Sequence, residues 1–166
     1  MNATTARNAC WMAMIVVAIS TAGCQRGAQS PAPAEPANAA PPTAPVALPR
    51  TPAPSGASVF IIEPVDGATV TNPVTVRFGA EGVAIVKAGD TAPNSGHHHL
   101  LIDTGLPDLS QPIPNDEQHR HFGGGQTETQ IELAPGEHSL TLLLGDYLHI
   151  PHDPPVVSET IHITVR

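Results

Sequence analysis

Near the middle of the chain stands the octapeptide Gly96-His97-His98-His99-Leu100-Leu101-Ile102-Asp103. Side chains alternate between the two faces of a β-strand, so a strand here would place His97, His99 and Leu101 on one face. Leu100 and Ile102 would share the other face and point into a core. Because β-branched and aromatic residues normally fill such a strand, three consecutive histidines indicate that this strand also forms a site.

Short β-type runs, separated by Gly, Pro, Asn and Asp, lie on both sides of this octapeptide. They occupy residues 59–63, 74–78, 83–87, 129–133, 138–145 and 157–165. Alternation predicts that Leu140, Leu142 and Leu144 form one inward row, and Ala134-Pro135-Gly136 predicts a hairpin between the runs that flank it. About seven short strands without helical periodicity predict an all-β domain over residues 58–166. We expect an antiparallel β-sandwich of immunoglobulin-like type.

Residues 1–24 resemble a secretory signal peptide that ends in a bacterial lipobox. Arg7 supplies the positive start, and the apolar run 9–19 is short for a membrane span. The run leads into Thr21-Ala22-Gly23-Cys24, so Cys24 would be diacylated and anchor the mature chain in lipid. Gln25 after the cysteine implies an outer-membrane lipoprotein that faces the periplasm. Thr21 replaces the usual aliphatic residue, which leaves open secretion to the periplasm with a free Cys24, and an uncleaved anchor helix is the structural alternative.

The composition of the chain predicts a tether and argues against nucleic-acid binding, disulfides and thioether ligands in the domain. Residues 25–57 are rich in Pro and Ala and lack apolar periodicity, which predicts a disordered tether ahead of the domain. The formal charge of −8 argues against nucleic acid as a partner, because long-range charge would repel it. Both cysteines and all three methionines lie within the first 24 residues. The domain therefore contains no disulfide and no thioether ligand of the kind that favours Cu(I).

Several motifs from Val59 to the C-terminus resemble the bacterial family described as domain of unknown function 4399. They are Glu63-Pro64 with Asp66-Gly67-Ala68, Gly96–Asp103, His121-Phe122-Gly123 with Gln126-Thr127-Glu128, Pro135–Leu140, and His149-Ile150-Pro151-His152-Asp153-Pro154-Pro155. The resemblance covers essentially the whole domain and implies a cell-envelope setting. It brings no catalytic residues with it.

Two further pairs of histidines accompany the histidine strand. His119 and His121 stand just before a run of three glycines, where a tight turn could hold one ring in place, although a solvated loop is the structural alternative. His149 and His152 stand in a proline-rich connection between two late strands, which suits a site but also a rigid crossover. The sequence alone does not show that these histidines meet in space.

These histidines predict a site for a divalent transition metal. The expected ligands are His97, His99, His121, His149 and His152, with Asp146 or Asp153 behind them. Imidazole ligands without thiolate suit Cu(II), Zn(II) or Ni(II).

Two other functions stay open. A non-catalytic envelope module that binds a protein or a glycan is the main alternative, but exposed aromatic residues for sugar stacking are scarce. A metal-dependent hydrolase or oxidase lacks a recognisable general base, so we expect no enzyme activity.

Overall fold

The computed structural model describes residues 47–166. The predicted signal peptide, the lipidation site at Cys24 and the tether up to residue 46 lie outside the described residues. Nowhere in residues 47–166 is there a helix that is long and apolar enough to cross a membrane.

All regular elements of residues 47–166 are strands. They are β1 Ser58–Glu63, β2 Ala68–Val70, β3 Val74–Glu81, β4 Ala84–Ile85, β5 Ser95–Ile102, β6 His119–His121, β7 Glu128–Ile131, β8 Gly136–Gly145 and β9 Ile161–Val165. The predicted octapeptide strand is confirmed as β5. The run at 83–87 forms only the two-residue β4, and β6 forms at a histidine pair for which the sequence predicted no strand.

The strands form two sheets. One sheet has the order β1-β3-β7, and the other has the order β2-β9-β8-β5-β4, with β6 also paired to β5. Six strands have four residues or more. Of these, β1, β3 and β7 form one sheet, and β5, β8 and β9 form the other. Immunoglobulin-like sandwiches divide their strands between sheets in this way. The predicted all-β, immunoglobulin-like sandwich is therefore confirmed.

The main core lies between the inner faces of the two sheets. Leu100 and Ile102 of β5 and the predicted leucine row of β8 are buried there against Val76 and Phe78 of β3. Each strand contributes alternate residues, as the pleat requires. The inward row predicted from alternation is confirmed, and burial of these branched side chains is the main source of stability.

Two details of strand pairing differ from the prediction. The pairs β2–β9 and β4–β5 are parallel, so the sandwich is not purely antiparallel. The predicted hairpin is wrong, because β7 pairs with β3 whereas β8 pairs with β5 and β9 in the other sheet. The Asn72 side chain bonds both the amide and the carbonyl of Leu133, at 3.1 and 2.6 Å. These bonds attach Leu133 to the loop before β3, and the chain then crosses to the other sheet, where β8 begins at Gly136.

Strand β5 is covered on its outer face as well. Leu101 of β5 and Leu143 of β8 pack with Ile113 from the long connection between β5 and β6. All eight residues of β5 are consequently buried. Ordered contacts also begin ahead of the expected boundary at residue 58. Leu48 hydrogen-bonds to the connection between β5 and β6, and residues 50–53 hydrogen-bond to the connection that follows β8. The histidines of β5 therefore lie inside the domain.

Candidate metal centre

Strand pairing brings four histidines together on the outer face of β5. His97 and His99 project from this face two residues apart, as alternation predicted. His99 lies opposite His121 in the antiparallel pair β5–β6, which places the His121 ring beside them. His149 arrives from the turn that follows β8. We call these four residues the histidine cluster.

The four rings of the histidine cluster are all in mutual contact. Five of the six centroid distances lie between 4.7 and 5.1 Å, and the sixth, between His99 and His149, is 6.0 Å. One ligand nitrogen from each of His97, His99 and His121 lies within 4.8 Å of the other two. The cluster could therefore hold a metal ion with only small movements of its rings.

Buried ring nitrogens of three members of the histidine cluster lack hydrogen-bond partners. Both nitrogens of His97 and His99 and the Nε2 atom of His121 are buried and find no partner within residues 47–166. Buried polar atoms are nearly always hydrogen-bonded, because leaving one unpaired costs roughly 1–3 kcal/mol. A metal cation bound among these rings would take one nitrogen from each of them.

Burial favours the neutral, metal-binding form of His97, His99 and His121. Burial, with weaker repulsion from His149 and His121, lowers the pKa of His97 to about 4. Burial and the neighbouring rings lower the pKa of His99 to about 2. Burial followed by repulsion from His149 also lowers the pKa of His121. At neutral pH these three rings are therefore uncharged, and each has one nitrogen with a free lone pair that can bind a metal.

Two glycines, which have no side chain, leave room for the rings of His99 and His121. A Cβ atom on Gly145 would lie 2.7 Å from Cε1 of His99, and one on Gly123 would lie 2.4 Å from Cε1 of His121. Real Cβ atoms do not approach other atoms so closely, so any larger residue would displace the ring. Gly145 lies directly opposite His97 in the β5–β8 register, so the strand pairing itself opens this space.

Asp146 organises the turn that carries His149. Its Oδ1 atom accepts hydrogen bonds from the amides of Leu148 and Ile150, at 2.8 and 2.9 Å, and its carbonyl accepts one from the His149 amide. His149 itself has a φ of +67°, a left-handed conformation that is unusual for a residue with a side chain. Asp146, which we expected to lie behind the ligands, thus acts on the backbone of the turn by accepting hydrogen bonds from its amides. Its charge also opposes the fall in the pKa of His97.

The comparisons with known proteins concern the region that contains this cluster. A model of the family described as "Domain of unknown function (DUF4399)" matches residues 76–166, which is more than half of the chain. The chain belongs to this family. The match includes all four members of the histidine cluster and begins later than Val59, where the resemblance was expected to start.

No curated protein matches the chain. Among solved structures, the chain is similar to the fibronectin(III)-like modules of Clostridium thermocellum CbhA, with 11% identity and a TM-score of 0.32. That similarity covers 64% of this chain and 92% of the module.

Two other expected site residues of this DUF4399 domain lie outside the histidine cluster. His152 is buried with both ring nitrogens unpaired, but it faces the side-chain position of Gly96, at 3.1 Å, and contacts none of the four rings. Gly96 precedes His97 on β5, so its side-chain position belongs to the opposite face. Asp153 lies at the surface and forms an ion pair with Arg50 at 3.1 Å. The structure therefore brings together four of the five expected ligands.

The remaining histidines of the strand region have structural surroundings. His98 points into the main core, where its ring lies 5.3 Å from the ring of Phe78. The Nδ1 atom of His119 contacts Asp116 at 2.8 Å. Asp103, just after β5, accepts hydrogen bonds from the amide of Ser139 and the ring of His138 on β8.

Sequence reasoning missed the parts of the site that depend on long-range pairing. The β5–β6 pair and the space at Gly145 are set by strand register, which the local sequence does not specify. The glycines at 123–125 were a usable signal, because a glycine beside a histidine pair suggests close approach of a ring. The contacts of residues 48–53 had no sequence signal.

Proposed function

We propose that this protein binds one divalent transition metal ion through His97, His99, His121 and His149. The observation that carries the proposal is the mutual contact of four imidazoles. Three of them, His97, His99 and His121, also bring ligand nitrogens within 4.8 Å of one another and have buried nitrogens without other partners. Neutral imidazole is a good ligand for Zn(II), Cu(II) and Ni(II). A purely structural cluster would be costly, because the nitrogens would stay desolvated without compensation.

The arrangement of the rings favours Zn(II) over Cu(II). In a square of rings, the two diagonals would exceed the sides by about two-fifths, whereas in a tetrahedron all six distances are equal. Here five distances agree within 0.4 Å, and the sixth is only about one-fifth longer than the others. Zn(II) prefers tetrahedral sites, whereas Cu(II) prefers square or tetragonal ones.

A non-catalytic role fits four imidazole ligands best. Catalytic zinc sites keep one position open for water or substrate, and four protein ligands would close a tetrahedral ion. We therefore propose a binding or stabilising role for the metal rather than hydrolysis or oxidation. We also propose that Cys24 anchors the protein to the outer membrane, so that the domain would sequester metal in the periplasm.

Calorimetric titration of the purified full chain with Zn(II), Cu(II) and Ni(II) tests the proposal. Cys10 and Cys24 should be alkylated first, because thiolates bind the same ions. We expect Zn(II) to bind in a one-to-one ratio, and we expect this binding to be lost in the His97→Ala/His99→Ala double variant. His162→Ala is the matched control, because its side chain is 73% exposed on β9. Weak, multi-site binding that survives the double variant would refute a defined site.

A further inference from the structure

The segment before β1 lies across the turn that carries His149. We call residues 48–53 the N-terminal strap. The Nε atom of Arg50 donates a hydrogen bond to the carbonyl of Pro151 at 3.0 Å, and Nη2 donates to the carbonyl of His152. Its Nη1 atom pairs with the Asp153 carboxylate at 3.1 Å. One guanidinium thus joins three consecutive residues that follow the turn.

The strap also holds the front of the same turn. The Thr51 hydroxyl donates a 2.6 Å hydrogen bond to Oδ2 of Asp146. The other carboxylate oxygen of Asp146 is the one that holds the amides of Leu148 and Ile150. Backbone bonds complete the attachment, because Asp153 donates to the Thr51 carbonyl and Ala53 donates to the Asp153 carbonyl, each at 2.9 Å.

His149 depends on this support more than the other members of the histidine cluster do. His97, His99 and His121 project from paired strands, so the sheet fixes their backbones. His149 lies in a turn and adopts a left-handed conformation, which a residue with a Cβ atom keeps only when its surroundings impose it. Its carbonyl accepts one further bond, from the amide of Ile113 at 2.8 Å. The turn is therefore held between the strap and the connection that contains Ile113.

We propose that the N-terminal strap positions His149 as the fourth ligand of the metal site. This inference rests on the proposed function. Arg50 and Thr51 are positioning residues, because they act on the metal through the turn and not by contact with it. When the strap is released, the ion keeps the three strand histidines and loses the imidazole of His149 to water. The strap precedes the region matched by the family model, so this support comes from outside the matched domain.

Substitution of Thr51 and Arg50 tests this coupling. Thr51→Val removes only the hydroxyl that reaches Asp146, and Arg50→Ala removes the three contacts beyond the turn. In the full chain with alkylated cysteines, we expect each variant to bind Zn(II) about 10- to 100-fold more weakly. Thr51→Ser keeps the hydroxyl and should bind as the unaltered chain does. Arg77→Ala is the matched control, because Arg77 forms ion pairs with Glu63 and Glu128 on the other sheet.

A combination with His149→Ala separates positioning from general stability. If the strap acts through His149, Thr51→Val should cause no further loss of Zn(II) affinity in the His149→Ala background. Co(II) substituted for Zn(II) should report the same change, with the visible spectrum of Thr51→Val resembling that of His149→Ala.

Independent losses in the double variant, or unchanged affinity in both strap variants, would overturn the inference and leave the metal site standing. Absence of Zn(II) binding in the unaltered chain would overturn both proposals.

Discussion

Replacement of Gly145 by alanine should destroy the proposed metal site through a single added methyl group. Gly145 has no left-handed backbone conformation, so alanine meets no penalty from φ, and its effect is purely steric. The new Cβ atom would lie 2.7 Å from Cε1 and 3.1 Å from Nδ1 of His99, and 3.3 Å from Cα of His149. Favourable carbon contacts begin near 3.5 Å, so the His99 ring would have to move by about 0.8 Å.

The His99 ring has no space into which it could move. It is fully buried, with the rings of His97 and His121 at 4.9 and 5.1 Å. Overpacking of this kind typically costs about 1–3 kcal/mol of folding free energy. A metal–nitrogen bond tolerates a displacement of only about 0.2 Å, so His99 would cease to be a ligand. We expect Zn(II) affinity to fall on the order of 100-fold, or about 2.7 kcal/mol.

Thermal melting and Zn(II) titration of Gly145→Ala measure the two effects separately. Gly105→Ala is the control, because a Cβ atom there would meet nothing within 4 Å and its φ is not positive. A Gly145→Ala protein with unchanged melting temperature and Zn(II) affinity would refute the packing of His99 described above. Lower stability with unchanged affinity would show that His99 does not bind the metal.

Two further predictions concern histidines outside the cluster. His98→Leu should stabilise the metal-free protein by about 1 kcal/mol at pH 7 without changing Zn(II) affinity, because it removes two buried, unpaired nitrogens from the core. Burial lowers the pKa of His98 to about 4, so the unfolded chain takes up its proton first as the pH falls below 6.5. The advantage of His98→Leu in urea melts should therefore grow by about 3 kcal/mol between pH 6.5 and 4, and a constant advantage would contradict this. Burial lowers the pKa of His138, but its hydrogen bonds to Asp103 and to the Ala134 carbonyl more than offset this, so the net pKa is raised. The stability that His138 contributes should therefore be fully present below pH 6.5 and should be lost as the pH rises through the raised pKa. In urea melts, the difference in free energy of unfolding between the unaltered chain and His138→Gln should shrink at high pH.

The strand pattern of this fold was predictable because alternation is a local property. Each strand places every second side chain on the same face. The inward leucines of β8, and the two faces on which the octapeptide side chains lie, could therefore be assigned without knowledge of the partner strands. Strand partners could not be assigned in this way. The sequence between β7 and β8 has the composition of a hairpin turn, but β7 pairs with β3 whereas β8 pairs with β5 and β9 in the other sheet.

The sequence by itself determined the chemistry that is available to this protein. It contains many histidines in a domain that lacks cysteine and methionine, and alternation places His97 and His99 on one face. Only the tertiary structure decided which histidines meet. His121 joins them through the register of β6, His149 joins them through a turn held by Asp146 and the N-terminal strap, and His152 lies behind the opposite face of β5. The physical reason is that side-chain direction follows from local backbone geometry, whereas convergence depends on pairings between residues far apart in the chain.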